Sequence, residues 1–351
     1  MTFLAIAIAL AVFVTWLVVR STRPQRPDGA VRARDPIPHA PDEIAVPKLG
    51  GADDDEDESD VTRMVKMPSV SRAEDAADSV SELMAVTAED GPELELDDSS
   101  DESTGPQALI LVTAMARTDV GRRRANNEDS YLAMEEACLF VVADGMGGYA
   151  GGEVASKIAV ESIGKTFSDE DFVGMPRVTR YRRANELLHA IAIANMAILM
   201  AALSDPAHRD MGTTLAMARF APNKRRVYVA NVGDSRIYRV RNRVIHQLTR
   251  DHTLGVEAGV TGKRGAHLTR AVGIRKTVHP EIRVEEALPH DCFVVCSDGL
   301  NKMLSDEVIG DCVVSHSTDV AAKKLIEAAN ERGGRDNVTV IVIRVENAGG
   351  V

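Results

Sequence analysis

Six short polar motifs occur in the C-terminal two-thirds of the chain, each beside a hydrophobic run. They read RANNED (124–129), DGMGG (144–148), MGTT (211–214), GDSR (233–236), SDGL (297–300) and RDNVTV (335–340). Three of their aspartates, Asp144, Asp298 and Asp336, stand at the ends of strand-like runs. Carboxylates that separate strands bring to one sheet end are the oxygen ligands that hard metal ions need. The motifs therefore predict a metal-dependent centre.

The elements that must position these motifs are visible as hydrophobic periodicity from residue 108 onward. Strand-like runs span 109–115, 138–143, 214–220, 226–231, 236–240, 292–296 and 337–344. Helix-like runs span 152–167, 184–203 and 319–330. Short turns at 222–223 and 241–242 join successive strands, which indicates antiparallel pairing and not an alternating strand–helix chain. The predicted fold class is α+β, with sheets and helices in layers.

The formal net charge of −12 is unevenly distributed along the chain. Residues 41–104 contain 21 acidic and 4 basic residues, a balance of −17 that leaves +5 for the rest. We expect residues 20–107 to form a disordered acidic linker, because they are rich in Pro, Ser and acidic residues and poor in aromatics. The linker either serves only as a tether, which we favour, or folds back on basic residues such as Arg177, Arg180, Arg182 and Arg183.

An uncharged apolar run at 2–19 precedes the linker. As a helix it would rise about 27 Å, which is enough to cross a hydrocarbon core. A cleaved signal peptide is the alternative, but the run lacks a preceding basic region and a following Ala-x-Ala site. Arginines at 20, 23, 26, 32 and 34 follow the run and favour a cytoplasmic C-terminal part. We predict a single-pass anchor in the inner membrane.

Three other kinds of site are weaker interpretations of the sequence. A cysteine-nucleophile phosphatase needs an arginine six residues after its cysteine, and none of the four cysteines, at 138, 292, 296 and 312, meets this condition. The cysteines also contain no Cys-x-x-Cys pair of the kind that binds zinc. Residues 145–150 match the glycine pattern of dinucleotide sites. No second strand follows promptly, so an oxidoreductase remains a minor alternative.

In order and spacing, the six motifs resemble those of the metal-dependent protein phosphatases, the protein phosphatase 2C family in its bacterial form. The resemblance covers about residues 110–346. Single motifs such as GDSR are ordinary turn sequences, whereas six in the family order are not. The resemblance implies a catalytic domain at 108–347, built from two antiparallel sheets packed as a β-sandwich flanked by helices. It also implies two Mn²⁺ or Mg²⁺ ions, with a third ion as an open alternative.

The resemblance assigns metal ligands to the three terminal aspartates and a neighbouring glycine. Asp144 matches the aspartate that bridges both ions, and Gly145 matches the glycine whose carbonyl oxygen binds one of them. Asp298 and Asp336 match the ligands of the second ion. A glycine suits this place because the backbone must approach the ion closely.

Further residues match supporting roles in the family. Glu128 and Asp129 match acidic residues that orient metal-bound waters, and Arg124 matches the arginine that grips the substrate phosphate. We therefore expect Arg124 and Asp144 to be catalytic. Asp210 is a candidate third-ion ligand or an ordinary turn residue. Met146 occupies the place where some members have a histidine that could act as a general acid.

The function that the resemblance implies is direct hydrolysis of phosphoserine and phosphothreonine by a metal-activated water, without a phosphoenzyme. The alternative is a pseudophosphatase that binds phosphoproteins with little turnover. Expected partners are phosphorylated proteins, a Ser/Thr kinase and its substrates, and the membrane, but not nucleic acid; the catalytic domain should be monomeric. The glycine-rich segment 253–267 resembles the family's flap over the cleft, and we expect Asn337 to tie its loop through its amide.

Overall fold

The computed structural model of the chain describes residues 109–147, 151–170, 172 and 175–348. The predicted anchor at 2–19 and the predicted linker at 20–107 lie outside the described residues, as does Gly148 of the DGMGG motif. Within the described residues, secondary structure extends from Ile110 to Asn347, and the domain limits of 108 and 347 stay a prediction.

The described residues form two antiparallel sheets. The strands are β1 (Ile110–Asp119), β2 (Asp129–Met134), β3 (Leu139–Met146), β4 (Gly212–Thr213), β5 (Leu215–Ala221), β6 (Arg226–Val232), β7 (Arg236–Arg241), β8 (Val244–Gln247), β9 (Glu281–Glu286), β10 (Cys292–Cys296) and β11 (Val338–Asn347). One sheet has the order β1-β11-β10-β7-β8; the other has β2-β3-β5-β6-β9, with β4 beside β3. This confirms the predicted pairing. It contradicts the dinucleotide alternative, which requires parallel strands.

Helices cover the outer faces of both sheets. They are α1 (Gly151–Ser168), α2 (Arg182–Ser204), α3 (Leu254–Ala258), α4 (Asp298–Asn301), α5 (Asp306–Ser315) and α6 (Thr318–Glu331), with 3₁₀ turns at Pro206–His208 and Lys263–Ala266. One buried cluster joins α1 and α2 to the six-stranded sheet, and a second joins α5 and α6 to the five-stranded sheet. A third cluster fills the space between the sheets. The layers are therefore helix, sheet, sheet, helix.

The first five residues of β3, Leu139–Ala143, are all apolar for a structural reason. Leu139, Val141 and Ala143 pack towards the helices, whereas Phe140 and Val142 pack between the sheets. Side chains alternate along a strand, so a strand covered on both faces needs apolar residues throughout. An edge-to-face contact between the rings of Phe140 and Phe220, with centroids 6.0 Å apart, belongs to this inner layer.

Helix α2 is the one described helix that is long and apolar enough to cross a membrane. Half of its most apolar window is buried inside the fold. Leu187, Ile191 and Ile198 are fully buried in the cluster that joins α2 to the six-stranded sheet. Packing in the core is therefore a sufficient explanation for its composition.

Candidate metal centre

The motifs meet at the end of the sandwich where β3 finishes. Asp129 on β2 lies directly opposite Asp144 on β3. The Ser297 hydroxyl, just before α4, donates to Asp129 Oδ2 at 2.8 Å. Ser297 also accepts from the Thr339 backbone N–H at 3.0 Å. These bonds join the two sheets at one end and bring residues 129, 144, 297 and 339 together.

Two threonines hold the backbone of Asp144. Thr213 donates its hydroxyl to the Asp144 carbonyl at 2.9 Å, and the Asp144 N–H donates to the Thr214 hydroxyl at 3.1 Å. Thr214 also shares a hydrogen bond of 2.6 Å with Ser235. The two threonines therefore fix the backbone that carries Asp144.

Asn337 ties the RANNED loop to the end of β11. Its Oδ1 accepts from the Glu128 N–H at 2.8 Å. Its Nδ2 donates to the carbonyls of Val120 and Asn126 at 2.9 and 2.8 Å. The expectation that its amide fastens the loop is confirmed. The loop that carries Arg124 and Glu128 thus depends on this buried amide.

Gly145 is required by crowding of the backbone. A Cβ at this position would lie 2.0 Å from the Gly152 carbonyl oxygen and 2.6 Å from the Glu128 carbonyl oxygen. The Gly145 N–H also donates to the Glu128 carbonyl at 3.1 Å. The sequence explained this glycine by the approach of an ion. The structure supplies another reason, the close approach of α1 and the RANNED loop to β3.

Carboxylates at this end of the sandwich repel one another. Burial and the nearby charges of other aspartates raise the pKa of Asp129 to about 7, although hydrogen bonds from Thr339 and Ser297 oppose the shift. Burial raises the pKa of Asp234 to about 8, with Asp298 as the next cause. Burial and the neighbouring carboxylates hold the pKa of Asp144 well above its usual range. Such a site favours a bound cation.

Two basic side chains lie against the carboxylates assigned to the second ion. Arg124 Nη2 is 3.0 Å from Asp336 Oδ1 and 3.1 Å from its Oδ2. Lys302 Nζ is 2.6 Å from Asp298 Oδ2. Arg124 Nη1 also lies 3.9 Å from Glu128. The arginine expected to bind phosphate is therefore at the centre, as the sequence predicts.

The chemistry of the donor set fits Mg²⁺ or Mn²⁺. Oδ1 of Asp129 and Oδ1 of Asp234 are buried without a hydrogen-bond partner, and carboxylate oxygens are the ligands these ions prefer. Within the described ranges, however, no three His, Cys, Asp or Glu side chains already converge tightly enough to hold one ion. Binding would require side-chain adjustment. The assigned ligands therefore remain predictions: Asp144, Gly145, Asp298, Asp336, Glu128, Asp129 and Asp210.

Asp210, which the sequence singled out, is exposed, whereas Asp234, which it did not, is buried. Asp210 is exposed, has a φ of 64°, and precedes β4, whose Gly212 pairs with Met146 beside the centre. Its left-handed backbone suits the turn-residue alternative. Asp234 is only 7% exposed, and its charge acts on Asp144. Asp234 lies in the GDSR motif, but Gly-Asp pairs are ordinary turn sequences, so the motif did not mark it as a site residue.

The segment resembling a flap is attached next to the centre. His252 is buried, and its Nδ1 accepts from the Gly233 N–H at 3.1 Å. Its Nε2 lies 3.3 Å from Arg270 Nη1. Arg270 Nη2 in turn lies 2.8 Å from Glu257 on α3, within the flap segment. His252 therefore has a structural role, linking the Gly233 backbone to Arg270.

Comparison with known proteins gives consistent results. A family model described as Protein phosphatase 2C matches residues 120–330. Serine/threonine protein phosphatase PstP of Mycobacterium tuberculosis is 37% identical over 248 residues, which cover 68% of this chain and 46% of PstP. This chain thus spans about half the length of that relative. Serine/threonine phosphatase stp of Listeria monocytogenes is 34% identical over 241 residues, 65% of this chain and 93% of stp.

Solved structures show the same fold. The catalytic domain of PstP in complex with two manganese ions is 35% identical, with a TM-score of 0.59. The alignment covers 68% of this chain and all of that domain. A phosphatase from Mycobacterium smegmatis, in complex with cacodylate, is 32% identical with a TM-score of 0.57, over 66% of this chain and 97% of that one.

Proposed function

The chain belongs to the protein phosphatase 2C family, and we propose that it is a metal-dependent phosphatase acting on phosphoserine and phosphothreonine in proteins. The observation that carries the proposal is the cluster of aspartates from separate elements, with Arg124 ion-paired to Asp336 at its edge. The PstP catalytic domain was solved with two manganese ions. We infer the same requirement, for two Mn²⁺ or Mg²⁺ ions, in this chain.

The residues that would hold the ions are those of the carboxylate cluster. Asp144, the Gly145 carbonyl, Asp298 and Asp336 would act as ligands; Asp210 is a candidate for a third ion. Glu128 and Asp129 would orient the waters around the ions. When bound, the ions lower the pKa of a water molecule and neutralise phosphate charge.

The chain's own residues bind and orient the phosphoryl group. The Arg124 guanidinium carries five N–H donors in a planar fork, which can bind two phosphate oxygens and stabilise their charge during in-line attack. Asp129 and Glu128 flank the place where water must be aligned, and Ser297 fixes Asp129 through its hydroxyl. A water nucleophile makes a covalent phosphoenzyme unnecessary.

Met146 sets a limit on acid catalysis. It occupies the position of a histidine in some family members, and a thioether cannot donate a proton. The leaving serine or threonine oxygen would therefore take its proton from water. We expect a stronger dependence of the rate on the acidity of the leaving group than in an enzyme with a side-chain acid at this position.

The cellular setting is part of the proposal. Natural partners would be phosphorylated proteins, including a Ser/Thr kinase and its substrates, bound by a monomeric catalytic domain. The span at 2–19 would anchor the chain in the inner membrane with this domain in the cytoplasm.

A pseudophosphatase is the second candidate. The complete set of Asp144, Asp298 and Asp336 favours catalysis, because a protein that only binds phosphate is free to lose them.

The decisive experiment measures hydrolysis of para-nitrophenyl phosphate and of a phosphothreonine peptide, with Mn²⁺ and with EDTA. We expect turnover only with the metal, and its loss in Asp298→Ala. Asp311→Ala is the matched control, since Asp311 is an exposed aspartate on α5 whose only described ion pair, with Arg243, spans 3.7 Å. Absence of metal-dependent turnover in the wild type, or full turnover in Asp298→Ala, would contradict the proposal.

A further inference from the structure

Lys302 is a basic residue at the centre to which neither the motifs nor the proposed mechanism gives a role. It directly follows α4, and its backbone N–H donates to the Asp298 carbonyl at 2.9 Å. Residues four apart lie on the same face of a helical turn. The Lys302 ammonium thereby reaches Asp298 Oδ2 at 2.6 Å.

The surroundings of this ion pair differ from those of the other lysine pairs at the same spacing. The Asp298 side chain is 4% exposed and that of Lys302 is 35% exposed, whereas the partners in the Lys323–Glu327 pair on α6 are 62% and 54% exposed. Exposed pairs contribute little to stability, but a buried carboxylate depends strongly on its counter-ion. The Lys302–Asp298 pair is therefore part of the electrostatics of the centre and not a surface feature.

Lys302 also lies within the field of several carboxylates. Burial lowers the pKa of Lys302, but the charge of Asp298, its hydrogen bond to Lys302 and the charges of Asp234 and Asp144 together raise that pKa above its usual range. Asp234 Oδ1 is buried without a hydrogen-bond partner. The side of the centre formed by Asp298 and Asp234 thus already contains one positive charge, contributed by the chain itself. A divalent ion placed on that side would be repelled by the ammonium.

We propose that Lys302 acts as a resident cation of the metal centre. Its ammonium occupies the side formed by Asp298 and Asp234 and restricts the binding of divalent ions there. The inference rests on the proposed function, because it concerns the same centre. Lys302 is a positioning residue in this scheme. It neutralises Asp298 when divalent ions are scarce and competes with the weakest-bound ion when they are abundant.

Equilibrium dialysis of the purified protein against Mn²⁺ tests this, with bound metal measured by elemental analysis. We expect Lys302→Met to bind an additional Mn²⁺ ion, or to bind its weakest ion about tenfold more tightly, which is within the range of effects of residues around metal ligands. Lys302→Arg keeps the charge and should match the wild type. Lys323→Met removes a comparable surface pair and should also match it. Any Mn²⁺ held by the acidic segment 41–104 is common to all variants.

Lys302→Gln separates charge from hydrogen bonding, since its amide can still donate to Asp298 without competing as a cation. We expect it to bind Mn²⁺ as Lys302→Met does, and it carries the test where the methionine variant fails to fold. Thermal unfolding gives a second readout: in EDTA the neutral variants should melt below the wild type, and Mn²⁺ should raise their Tm by more.

The outcomes separate the two proposals. Unchanged Mn²⁺ stoichiometry and affinity in Lys302→Met and Lys302→Gln would overturn the resident-cation role and leave the phosphatase proposal intact. Weaker Mn²⁺ binding in both variants would overturn it too, because Lys302 would then assist binding. A wild-type protein that binds no Mn²⁺ would remove both proposals.

Discussion

Individual side chains at the centre show which roles a sequence can reveal. Asp144, Asp298 and Asp336 were predictable because each stands at the end of an apolar run, and strand ends meet at one edge of a sheet. Lys302 was not predictable, because no motif marks it and its role depends on a contact across one helical turn. Asp234 was present in a motif, but its burial is a tertiary property.

Asn337 offers a residue-scale prediction. Asn337→Ala removes the acceptor for the Glu128 N–H and both donations to the carbonyls of Val120 and Asn126, so three backbone groups of the loop lose these partners. We expect a loss of about 2–3 kcal/mol in the free energy of unfolding, measured by urea denaturation. KM should also rise, because the loop that carries Arg124 loosens.

Asn337→Asp serves as the companion variant. It keeps an oxygen for the Glu128 N–H but loses both donors, so it should not restore stability. An unchanged urea midpoint in either variant would show that the loop holds its position without the amide.

Three strands that the sequence missed, β2, β8 and β9, lie at the edges of the sheets. Most of their residues are only partly buried or are exposed, as in EIRVEE of β9. Charged edges are a common protection against unwanted pairing, and they weaken the hydrophobic signal. Central strands such as β3, β10 and β11 were predicted to within a few residues, because both of their faces are buried.

The junction between β3 and α1 leads to a prediction that a second glycine, within α1, can control. Gly145→Ala places a methyl group 2.0 Å from the Gly152 carbonyl oxygen, so the strand end or the helix must move. We expect a loss of more than about 3 kcal/mol in the free energy of unfolding, or failure to fold, because displacing backbone atoms costs more energy than moving a flexible side chain. Circular dichroism melting curves will measure it.

Gly164→Ala, within α1, is the matched control. Its new Cβ would meet only Leu132 side-chain atoms, at 3.5 and 3.6 Å, which is ordinary contact. We expect it to raise stability by about 0.5–1 kcal/mol, because alanine favours helix interiors over glycine. Equal effects of the two alanines would refute the crowding argument at Gly145.

The attachment of the flap segment gives a second prediction for an element. Arg270→Met removes the ion pair with Glu257 on α3 and the contact with His252. A partly exposed pair is worth about 0.5–1 kcal/mol, so the segment should open about two- to fivefold more often. Trypsin should therefore cut after Lys263 or Arg264 faster by the same factor.

Glu257→Gln should reproduce most of this change, because it removes only the charge at the other end of the pair. Arg243→Met is the control, since Arg243 forms an exposed pair with Asp311 away from the flap. If trypsin cuts Arg270→Met no faster than it cuts the control, the ion pair does not hold the segment.

At the scale of the whole molecule, the sandwich brings together residues that are 168 and 212 positions apart in the chain. Ser297 contacts Asp129, and Arg124 contacts Asp336, because β3 and β10 finish at the side where β2 and β11 begin. The two-sheet architecture followed from strand patterning together with the family resemblance. The hydrogen bonds and ion pairs between the sheets that align the centre could not be predicted from the sequence, because they depend on the register between the sheets.

The place where the chain joins the domain leads to the final prediction. The Leu109 N–H donates to the Pro222 carbonyl at 3.0 Å, and Phe220 N–H donates to the Cys138 carbonyl, at the opposite end of β3 from Asp144. Asp144 lies five positions after Leu139, a distance of about 17 Å along the strand. Residues before Leu109 are thus attached far from the centre. A fragment of residues 107–351 should hydrolyse para-nitrophenyl phosphate within about twofold of the rate of residues 20–351, if the linker behaves as a flexible tether.

Salt concentration distinguishes a tether from a docked segment in the same assay. The charge of −17 in residues 41–104 would act on basic residues such as Arg177, Arg180, Arg182 and Arg183 only over about 10 Å at 0.1 M salt. A tether predicts that the ratio of the two rates stays constant from low to high salt, because charge then plays no part. A ratio that departs from one at low salt and returns to one at high salt would show that the acidic segment binds the domain and regulates it.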